Sequence, residues 1–529
     1  MLAMGAAAGQ QRMTTQRSNG SQVDPVQRAR TKMGYKNNWN RNNVNENQVQ
    51  FTQPLQHDAA VGIIGGGISG LACAQGLSRH GMRAVVFDTG EHGVGGRAAT
   101  RSSSDASLHA KWISPSLAAV KNLNLRFDHA AQCFTATDPA FQQQVQAWLA
   151  AGVVQRWQGP VGVLRPGGAF EPLGDATPLY VATGGMRQLA QHMADEAVVS
   201  SSGGVSVVRP MWVSRMTAAH SSNGWQLTGN NKGQGTFGAV VIAHNGKCAN
   251  RSSAVALWLV GPTGAPDVAR QLMRLRLSAV WALMVAFEGP VAVPGGMEGA
   301  FVQGSPVLSW ASNNSAKLGL VHPQPYEGLQ CWTLISTDTY GQANKVPQEK
   351  VPADVAAKVT AEMLAAFAAL LGPAAVQLPK VVFTRVQLWG AALPTNIPNV
   401  PCILDAQARV GVCGDWLTGA SLQSAVLSGW ALADRLAALR GVQGSAAAGL
   451  GVGLTEQFKP LREAEIGEFP GLPKAAVAAA PRQQGVGGVS CGSNGGGRGR
   501  QQQGQQRQEQ RQQQRGGSRP AVQADGARA

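Results

Sequence analysis

The sequence predicts an α/β fold, with a body over residues 58–440 in which buried strands alternate with helices, between two low-complexity ends. Inside the body, short apolar stretches typical of strands alternate with segments whose apolar residues recur at helical spacing. A glycine cluster at 65–70 separates the first strand from the first helix. Residues 1–57 are rich in Asn, Gln and Arg, and residues 441–529 in Gly, Gln and Arg, so we expect both ends to be disordered.

The net charge of +16 is concentrated at the two ends of the chain. Residues 1–57 contribute +5, from seven basic and two acidic side chains. Residues 481–529 contribute +6, from eight arginines and two acidic side chains. Only 16 − 11 = +5 remains for 58–480, which excludes a uniformly basic, nucleic-acid-binding body. The C-terminal arginines leave RNA binding by this tail open, although it has no aromatic residue for base stacking; a spacer is the alternative.

The cysteine pattern indicates a reducing compartment. The cysteines are seven in number and never spaced CxxC, which argues against a disulfide framework and a cysteine zinc site, so we predict no metal. The N-terminal residues lack the regions of a secretory signal, and the apolar stretch 59–77 is interrupted by glycines. We therefore expect an intracellular protein, cytoplasmic or plastid, without a membrane span.

Three glycines, Gly65, Gly67 and Gly70, stand in GxGxxG spacing between a predicted strand, Val61–Ile64, and a predicted helix, Ile68–Arg79. In a Rossmann-like unit the first glycine permits a tight turn, and the second lets the backbone approach a pyrophosphate. The third lets the helix pack closely on the strand. The N–H groups at the helix start then attract the phosphates. This arrangement predicts a dinucleotide site.

An acidic residue, Asp88, ends the next predicted strand, where its carboxylate can accept hydrogen bonds from ribose hydroxyls. A second glycine loop, GVGGRAATR, follows at 93–101, and its first arginine can pair with pyrophosphate oxygens. The alternatives are a glycine-rich turn without a ligand and a solvated basic loop. The residues predicted to bind the cofactor in these segments are Gly65, Gly67, Ser69, Gly70, Asp88, Gly95, Gly96 and Arg97.

A similar turn occurs near the end of the body, where a predicted strand at 410–413 is followed by small residues and a helix from about 421. The start of this helix offers free N–H groups and a positive dipole to a second part of the cofactor. An ordinary strand–helix turn with a surface acid is the alternative. The residues predicted to bind the cofactor here are Gly414, Asp415, Leu422 and Gln423, together with Val213 from a strand predicted over 205–217.

The segment 127–141, FDHAAQCFTATDPAF, resembles the renalase-like branch of the FAD-dependent amine-oxidoreductase superfamily, as does the GGR of the second glycine loop. Stretches 180–186 and 308–317 fit the same pattern, and the resemblance covers nearly all of 58–440. The sequence AHNGKC at 243–248 is similar to plant and algal relatives.

The resemblance implies non-covalently bound FAD that accepts a hydride from an amine or a reduced nicotinamide, with oxygen as a possible final acceptor. It also implies a Rossmann-like FAD lobe, from about 58–145, 200–245 and 400–440. It further implies an α+β substrate lobe of amine-oxidase type, formed by residues from about 145–200 and 250–395.

Three side chains are candidates for catalysis: His129, Gln132 and Lys317. His129 and Gln132 can hydrogen-bond the flavin or the substrate, or simply be satisfied in the interior. Lys317 resembles the lysine that bonds a water near the flavin in amine oxidases, or is a solvated loop lysine. Ala130 and Cys133 stand where the family prefers Gly and Tyr, so the alternative function is a non-catalytic flavin-binding scaffold with an RNA- or protein-binding tail.

Overall fold

A computed structural model describes residues 44–103, 123–201, 204–244, 260, 263–348, 350–372 and 377–462. These residues belong to a compact unit that spans Met1–Ala480. The predicted disorder of residues 1–43 and 463–529, and RNA binding by the C-terminal arginines, concern residues outside these ranges.

A six-stranded sheet, here called the parallel sheet, has the predicted strand Val61–Ile64 near its centre. Five strands run parallel, and one edge strand runs antiparallel. The strands are rich in Val, Ile and Ala and largely buried, as a sheet covered on both faces requires. In spatial order they are Ile403–Asp405, Val410–Val412, Ala239–Ile242, Val61–Ile64, Ala84–Phe87 and Val205–Val208.

Three helices pack together beside the parallel sheet: Ile68–Arg79, Met186–Ser200 and Leu422–Ala438. The first begins directly after the glycine turn, at the residue where the sequence predicts it. The third begins directly after Ser421, whose side chain accepts a hydrogen bond from the Ser424 N–H (3.0 Å). This hydrogen bond satisfies one of the free N–H groups in the first turn of the helix.

The segment 205–217, predicted as one strand, forms parts of two different sheets. Val205–Val208 completes the parallel sheet, and Val213–Ala219 begins an antiparallel three-stranded sheet with Gly224–Gly229 and Lys232–Phe237. The break lies at Pro210, which has no N–H to donate to a strand ladder.

A seven-stranded sheet, here called the mixed sheet, forms the other large layer. Six strand pairs connect it, of which only Gly299–Val302 with Val161–Arg165 is parallel. The 19-residue helix Ala353–Leu371 packs on it through Val359, Met363 and Phe367. In spatial order its strands are Val381–Pro394, Leu277–Phe287, Gln330–Ser336, Leu308–Asn313, Gly299–Val302, Val161–Arg165 and Ala169–Pro172.

The packed body extends beyond both predicted boundaries, 58 and 440. Before residue 58, Leu55 is buried in the core, and the ring of Phe51 packs edge-on against Trp225 at 5.6 Å. After residue 440, Val452 exchanges two backbone hydrogen bonds with Leu404. Residues on both sides of the predicted boundaries therefore pack on the body, because a few apolar residues inside polar segments find partners that local composition does not reveal.

The prediction of an α/β fold with a Rossmann-like unit is confirmed by these layers. None of the helices within the described ranges is long and apolar enough to cross a membrane. The remaining strands are Thr100–Ser102, Arg126–Asp128, Val154–Arg156, Tyr180–Ala182, Asn396–Ile397 and Lys459–Pro460. The remaining α-helices are Pro139–Ala150, Pro266–Arg274, Asn314–Leu318, Asp338–Ala343 and Gly444–Ala448. The 3₁₀ turns are Gly96–Ala98, His220–Ser222, Pro294–Gly296 and Asp415–Leu417.

Candidate functional site

A cavity of about 550 Å³ is lined on one side by residues at the carboxyl ends of the parallel strands and on the other by residues of the mixed sheet. In α/β proteins the carboxyl ends of parallel strands are where ligands bind. Most of the predicted site residues line this cavity: Gly65, Gly67, Ser69, Asp88, Gly95, Gly96, Arg97, His129, Gln132, Val213, Gly414, Asp415 and Leu422. The predicted residues Gly70, Gln423 and Lys317 do not line it.

The three glycines of the first turn are glycines for different physical reasons. Gly65 has a φ of +121°, and an added Cβ would lie 2.9 Å from the Ala243 carbonyl oxygen. A Cβ at Gly70 would lie 2.0 Å from the Gly65 oxygen, so this glycine permits close packing of the helix on the turn, whereas the sequence predicts close packing on the strand.

Gly67 differs from both because the protein itself does not require a glycine there. Its φ of −76° suits any residue, and the nearest atom to an added Cβ is the Gly95 oxygen at 4.0 Å. Gly67 nevertheless lines the cavity. Close approach of a ligand to this backbone would explain the glycine.

The Asp88 carboxylate holds the glycine turn in place. Its Oδ2 accepts a hydrogen bond from the Gly66 N–H at 2.8 Å, and its Oδ1 accepts one from the Gly90 N–H at 2.7 Å. A carboxylate has about four acceptor sites, so Asp88 can also accept the predicted ribose hydroxyls from the cavity.

An ion pair joins the two distant segments of the cavity wall. The Arg97 Nη2 lies 2.6 Å from the Asp415 Oδ1, and the Arg97 Nη1 donates to the Ala392 carbonyl oxygen at 2.6 Å. The guanidinium, predicted to pair with a pyrophosphate, is therefore engaged by protein groups, although it remains about one-third exposed. Arg97 and Asp415 fix the second glycine loop against the strand–helix turn near the end of the body.

The two residues predicted at the start of the last helix have different surroundings. Leu422 lines the cavity, whereas the Gln423 side chain lies against the start of another helix. The Gln423 Oε1 accepts hydrogen bonds from the N–H groups of Thr137 (2.7 Å) and Asp138 (3.0 Å). The Gln423 side chain thus positions a neighbouring loop, because those N–H groups have no carbonyl partner at a helix start.

His129 lines the cavity as a neutral imidazole. Burial, the largest cause, and the nearby Arg101 lower its pKa to about 3. The Nδ1 lies 2.7 Å from the Ala99 carbonyl oxygen, which fixes Nδ1 as the protonated nitrogen. The ring also packs against Trp389, with centroids 5.2 Å apart. His129 can therefore offer its Nε2 as an acceptor but does not act as a cation.

The Gln132 amide is fully engaged by the protein. Its Nε2 donates to the carbonyl oxygens of Asp128 (2.5 Å) and Ala130 (3.2 Å). Its Oε1 accepts from the Ser312 hydroxyl (2.9 Å) and the Lys317 ammonium (3.4 Å). Two donors and two acceptor sites are all that an amide side chain has. In contrast with its predicted role, Gln132 forms a wall of the cavity and has no hydrogen-bonding site left for a ligand.

Lys317 and Asp128 form a buried ion pair behind this wall. Their Nζ and Oδ2 atoms are 2.8 Å apart, and the exposed fractions of the two side chains are 0% and 1%. The Asp128 Oδ1 accepts from the Thr100 hydroxyl (2.6 Å) and from the Met186 N–H (2.9 Å). Lys317 is thus neither a solvated loop lysine nor a cavity residue, because Asp128 holds its ammonium inside the protein.

Two buried cysteines bear on the prediction of a non-covalent cofactor. Cys133 lines the cavity, and burial raises the pKa of its thiol to about 12, so it is a poor nucleophile. Cys413 is buried and does not line the cavity.

Sequence reasoning missed most of the mixed-sheet side of the cavity, apart from Trp310 and Trp389, whose alternatives were an active-site wall or core packing, and it missed the central position of Asp128. Asp128 belongs to the quoted FDHAAQC motif, and a charged residue within an apolar run indicates that a buried partner of opposite charge is needed. Ser309 and Trp310 belong to the quoted stretch 308–317, whereas the other residues on this side carry no local motif, and only the tertiary structure brings them together: Val280, Phe301, Ser305, Ile335, Asp338, Gln348 and Trp389.

A protein-family model described as "NAD(P)-binding Rossmann-like domain" matches residues 63–150. This stretch contains the glycine turn, Asp88 and the second glycine loop, so the family match falls on the Rossmann-like unit described above.

Three solved structures resemble the chain at low sequence identity. An oxidoreductase from Methanosarcina mazei has a TM-score of 0.47 at 12% identity, with 71% of this chain and 100% of that chain covered. Cyclohexylamine oxidase from Brevibacterium oxydans has a TM-score of 0.45 at 13% identity, covering 72% and 99%. Wild-type putrescine oxidase bound to putrescine has a TM-score of 0.45 at 12% identity, again covering 72% and 99%. Likenesses of this degree assign neither a substrate nor a residue role.

Proposed function

We propose that the protein is an FAD-dependent oxidoreductase. The observation that carries the proposal is Gly67, a cavity-lining glycine that neither backbone strain nor packing of the protein requires. The second supporting observation is that the predicted cofactor segments from both ends of the body line one cavity, joined by Arg97 and Asp415. A dinucleotide that spans the cavity accounts for both.

The residues present fit FAD. The turn at Gly65 and Gly67 and the start of the following helix would take the pyrophosphate. Asp88 would accept the ribose hydroxyls, and Asp415 would accept the hydroxyls of the ribityl chain. The first turn of the helix Leu422–Ala438 would supply positive dipole to the flavin. Cys133 and Cys413 support non-covalent binding, since one thiol is protonated and the other lies away from the cavity.

FAD, when bound, supplies a two-electron acceptor for a hydride from a carbon next to nitrogen, in an amine or in a reduced nicotinamide isomer whose hydride lies on such a carbon. The chain's own contribution is to exclude water and to hold the substrate against the flavin. Gln132 and the ring of Trp389 form a fixed wall, and neutral His129 offers an acceptor without a competing positive charge. Hydride transfer does not require a general base.

The proposed substrates are an amine or a reduced nicotinamide, with oxygen as the acceptor that completes the cycle. We also propose the two lobes with the boundaries given by the sequence, extended by 44–57 and 441–462. The five described cysteines are all free thiols, which supports a reducing intracellular compartment, the cytoplasm or a plastid.

A visible absorption spectrum tests the cofactor directly. After reconstitution with FAD and gel filtration, the full-length protein should show flavin bands, and denaturation in acid should release the flavin into the supernatant. Absence of the bands would refute the proposal, and flavin that stays with the precipitated protein would refute non-covalent binding.

A panel of reductants tests the activity. Anaerobic addition of amines and of reduced nicotinamides should bleach the flavin band, and air should restore it with formation of peroxide. If no reductant of either class bleaches bound flavin, the scaffold alternative replaces the enzyme.

A further inference from the structure

Trp416 lines the cavity directly after Asp415, and only 1% of its surface is exposed. Its indole N–H has no hydrogen-bond partner among the described residues. An indole has this one donor and no acceptor, and a buried donor without a partner costs free energy. Because buried polar groups in proteins are nearly always paired, an unpaired donor in a cavity wall points to a partner that a ligand supplies.

The indole edge that carries this N–H lies against Gly414, which also lines the cavity. A Cβ added to Gly414 would lie 2.6 Å from the Trp416 Nε1 and 2.7 Å from its Cδ1, so glycine at this position makes room for the ring. The Gly414 N–H itself donates to the Ser428 hydroxyl oxygen at 3.0 Å. At this point of the wall the backbone donor is therefore used, and the indole N–H is left for a ligand.

The C-terminal part of the described chain holds the Trp416 ring in this position. The ring of Phe458 is stacked on the indole, with centroids 6.2 Å apart and an angle of 19° between the planes. Phe458 directly precedes the strand Lys459–Pro460, which pairs with Asn396–Ile397 and so is fixed to the body. Contacts with Gly414 at its edge and with Phe458 at its face keep the indole N–H in the cavity wall.

We infer that Trp416 binds the cofactor, and that its indole N–H donates a hydrogen bond to a phosphate or ribityl oxygen. This inference rests on the proposed function and adds a binding residue to it. Phosphate and hydroxyl oxygens are the acceptors that FAD offers along its chain, and a donor-only group matches them. Through Phe458, residues beyond the body predicted from the sequence become part of the cofactor site.

Trp416→Phe tests the donor, because phenylalanine keeps an aromatic ring and removes the N–H. Calorimetric titration of the FAD-free, full-length protein measures the dissociation constant for FAD. We expect Trp416→Phe to weaken FAD binding about tenfold, the contribution of one good hydrogen bond. ADP, which has a pyrophosphate and no ribityl chain, distinguishes the two acceptors. An equal loss for ADP assigns a phosphate oxygen, and a loss for FAD alone assigns the ribityl chain.

Trp281→Phe is the matched control. Trp281 is fully buried, and its indole N–H also lacks a hydrogen-bond partner among the described residues, but Trp281 does not line the cavity. Both variants remove the same atoms from the interior, so the FAD-free proteins should lose similar amounts of stability in thermal unfolding. Trp281→Phe should nevertheless keep its FAD dissociation constant within about twofold of the wild-type value.

Site-specific replacement of Trp416 by benzothienylalanine repeats the test with the ring size kept, because sulfur takes the place of the indole N–H. This variant should show the same loss of FAD affinity, and it decides the matter if Trp416→Phe does not fold. Wild-type FAD affinity in a folded Trp416 variant, or an equal loss of affinity in Trp281→Phe, would overturn the inference. Wild-type protein that binds no FAD would refute the proposed function instead, so the two failures are distinguishable.

Discussion

The glycine turn at 65–70 and the polar segment at 128–133 both attract attention in the sequence, but their groups face in different directions. In the glycine turn, Gly65 and Gly67 line the cavity with their backbones. In the polar segment, Asp128 and Gln132 direct their hydrogen-bonding atoms into the protein. The first segment forms the proposed cofactor cradle, and the second forms a rigid wall.

The local sequence specifies the backbone of a turn, but it does not specify the partners of a buried polar side chain. A turn between a strand and a helix fixes its own backbone, so the direction of its N–H groups follows from the local sequence. A polar side chain in an apolar run has to find partners, and the partners lie far along the chain. Gln132 bonds to Ser312 and Lys317, which are 180 and 185 residues away.

The largest expected effect comes from breaking the buried pair in the wall. Lys317→Met leaves the Asp128 carboxylate buried without its cation, and we expect the free energy of unfolding to fall by about 3–5 kcal/mol. Denaturant unfolding of the FAD-free protein, followed by tryptophan fluorescence, measures the change.

The matched control is Lys380→Met, which removes an exposed ion pair with Glu288 at 3.1 Å and should change stability little. The double variant Asp128→Asn, Lys317→Met should be more stable than Lys317→Met alone, because no unpaired charge remains. Equal stability of Lys317→Met and Lys380→Met would mean that the wall does not depend on the buried pair.

The second expected effect tests the cradle. Gly67→Val should weaken FAD binding at least about 100-fold, or about 2.7 kcal/mol, with little loss of folding stability, because its side chain would enlarge a residue of the cavity lining. Binding is measured by titration of the FAD-free protein, and stability by thermal unfolding.

Two other glycine variants serve as controls for this prediction. Gly174→Val is the neutral control, since a Cβ there meets no atom within 4 Å, and it should bind FAD normally. Gly70→Val should destabilise the fold itself, because its Cβ would overlap the Gly65 oxygen. Normal FAD binding by Gly67→Val would remove the main support for a cofactor in this cavity.

The smallest expected effect concerns pH and the wall. His129 has a folded pKa of about 3 against an ordinary 6.5, so between these values only the unfolded chain binds this proton. The free energy of unfolding should therefore fall as pH decreases below 6.5, by at most about 1.4 kcal/mol per pH unit from this histidine.

His129→Asn keeps a donor for the Ala99 carbonyl oxygen and removes the titration, so its stability should depend less on pH over this range. His244 and His322, whose pKa values burial also lowers, are present in both proteins, so the difference reports His129 alone. Identical pH profiles for the two proteins would show that His129 does not titrate as its burial implies.

The elements that depend on local pattern were predictable. The strand Val61–Ile64 and the helix Ile68–Arg79 lie at their predicted bounds, because apolar runs and a glycine turn specify them without distant partners. The strand predicted over 205–217 illustrates the limit, since one apolar stretch serves two sheets on either side of Pro210. The Gln423 side chain was equally unpredictable, because its position at a helix start does not indicate that it contacts Thr137 and Asp138.

The local sequence specified the Rossmann-like unit, because spacing, turn and helix start are encoded within about thirty residues of chain. The tertiary structure alone decided the other half of the site. It buried Lys317 against Asp128, saturated the hydrogen-bonding groups of Gln132 and assembled the mixed-sheet side of the cavity. The physical reason is that a backbone cradle is specified by neighbours in sequence, whereas a side chain's partners and charge environment are specified by neighbours in space.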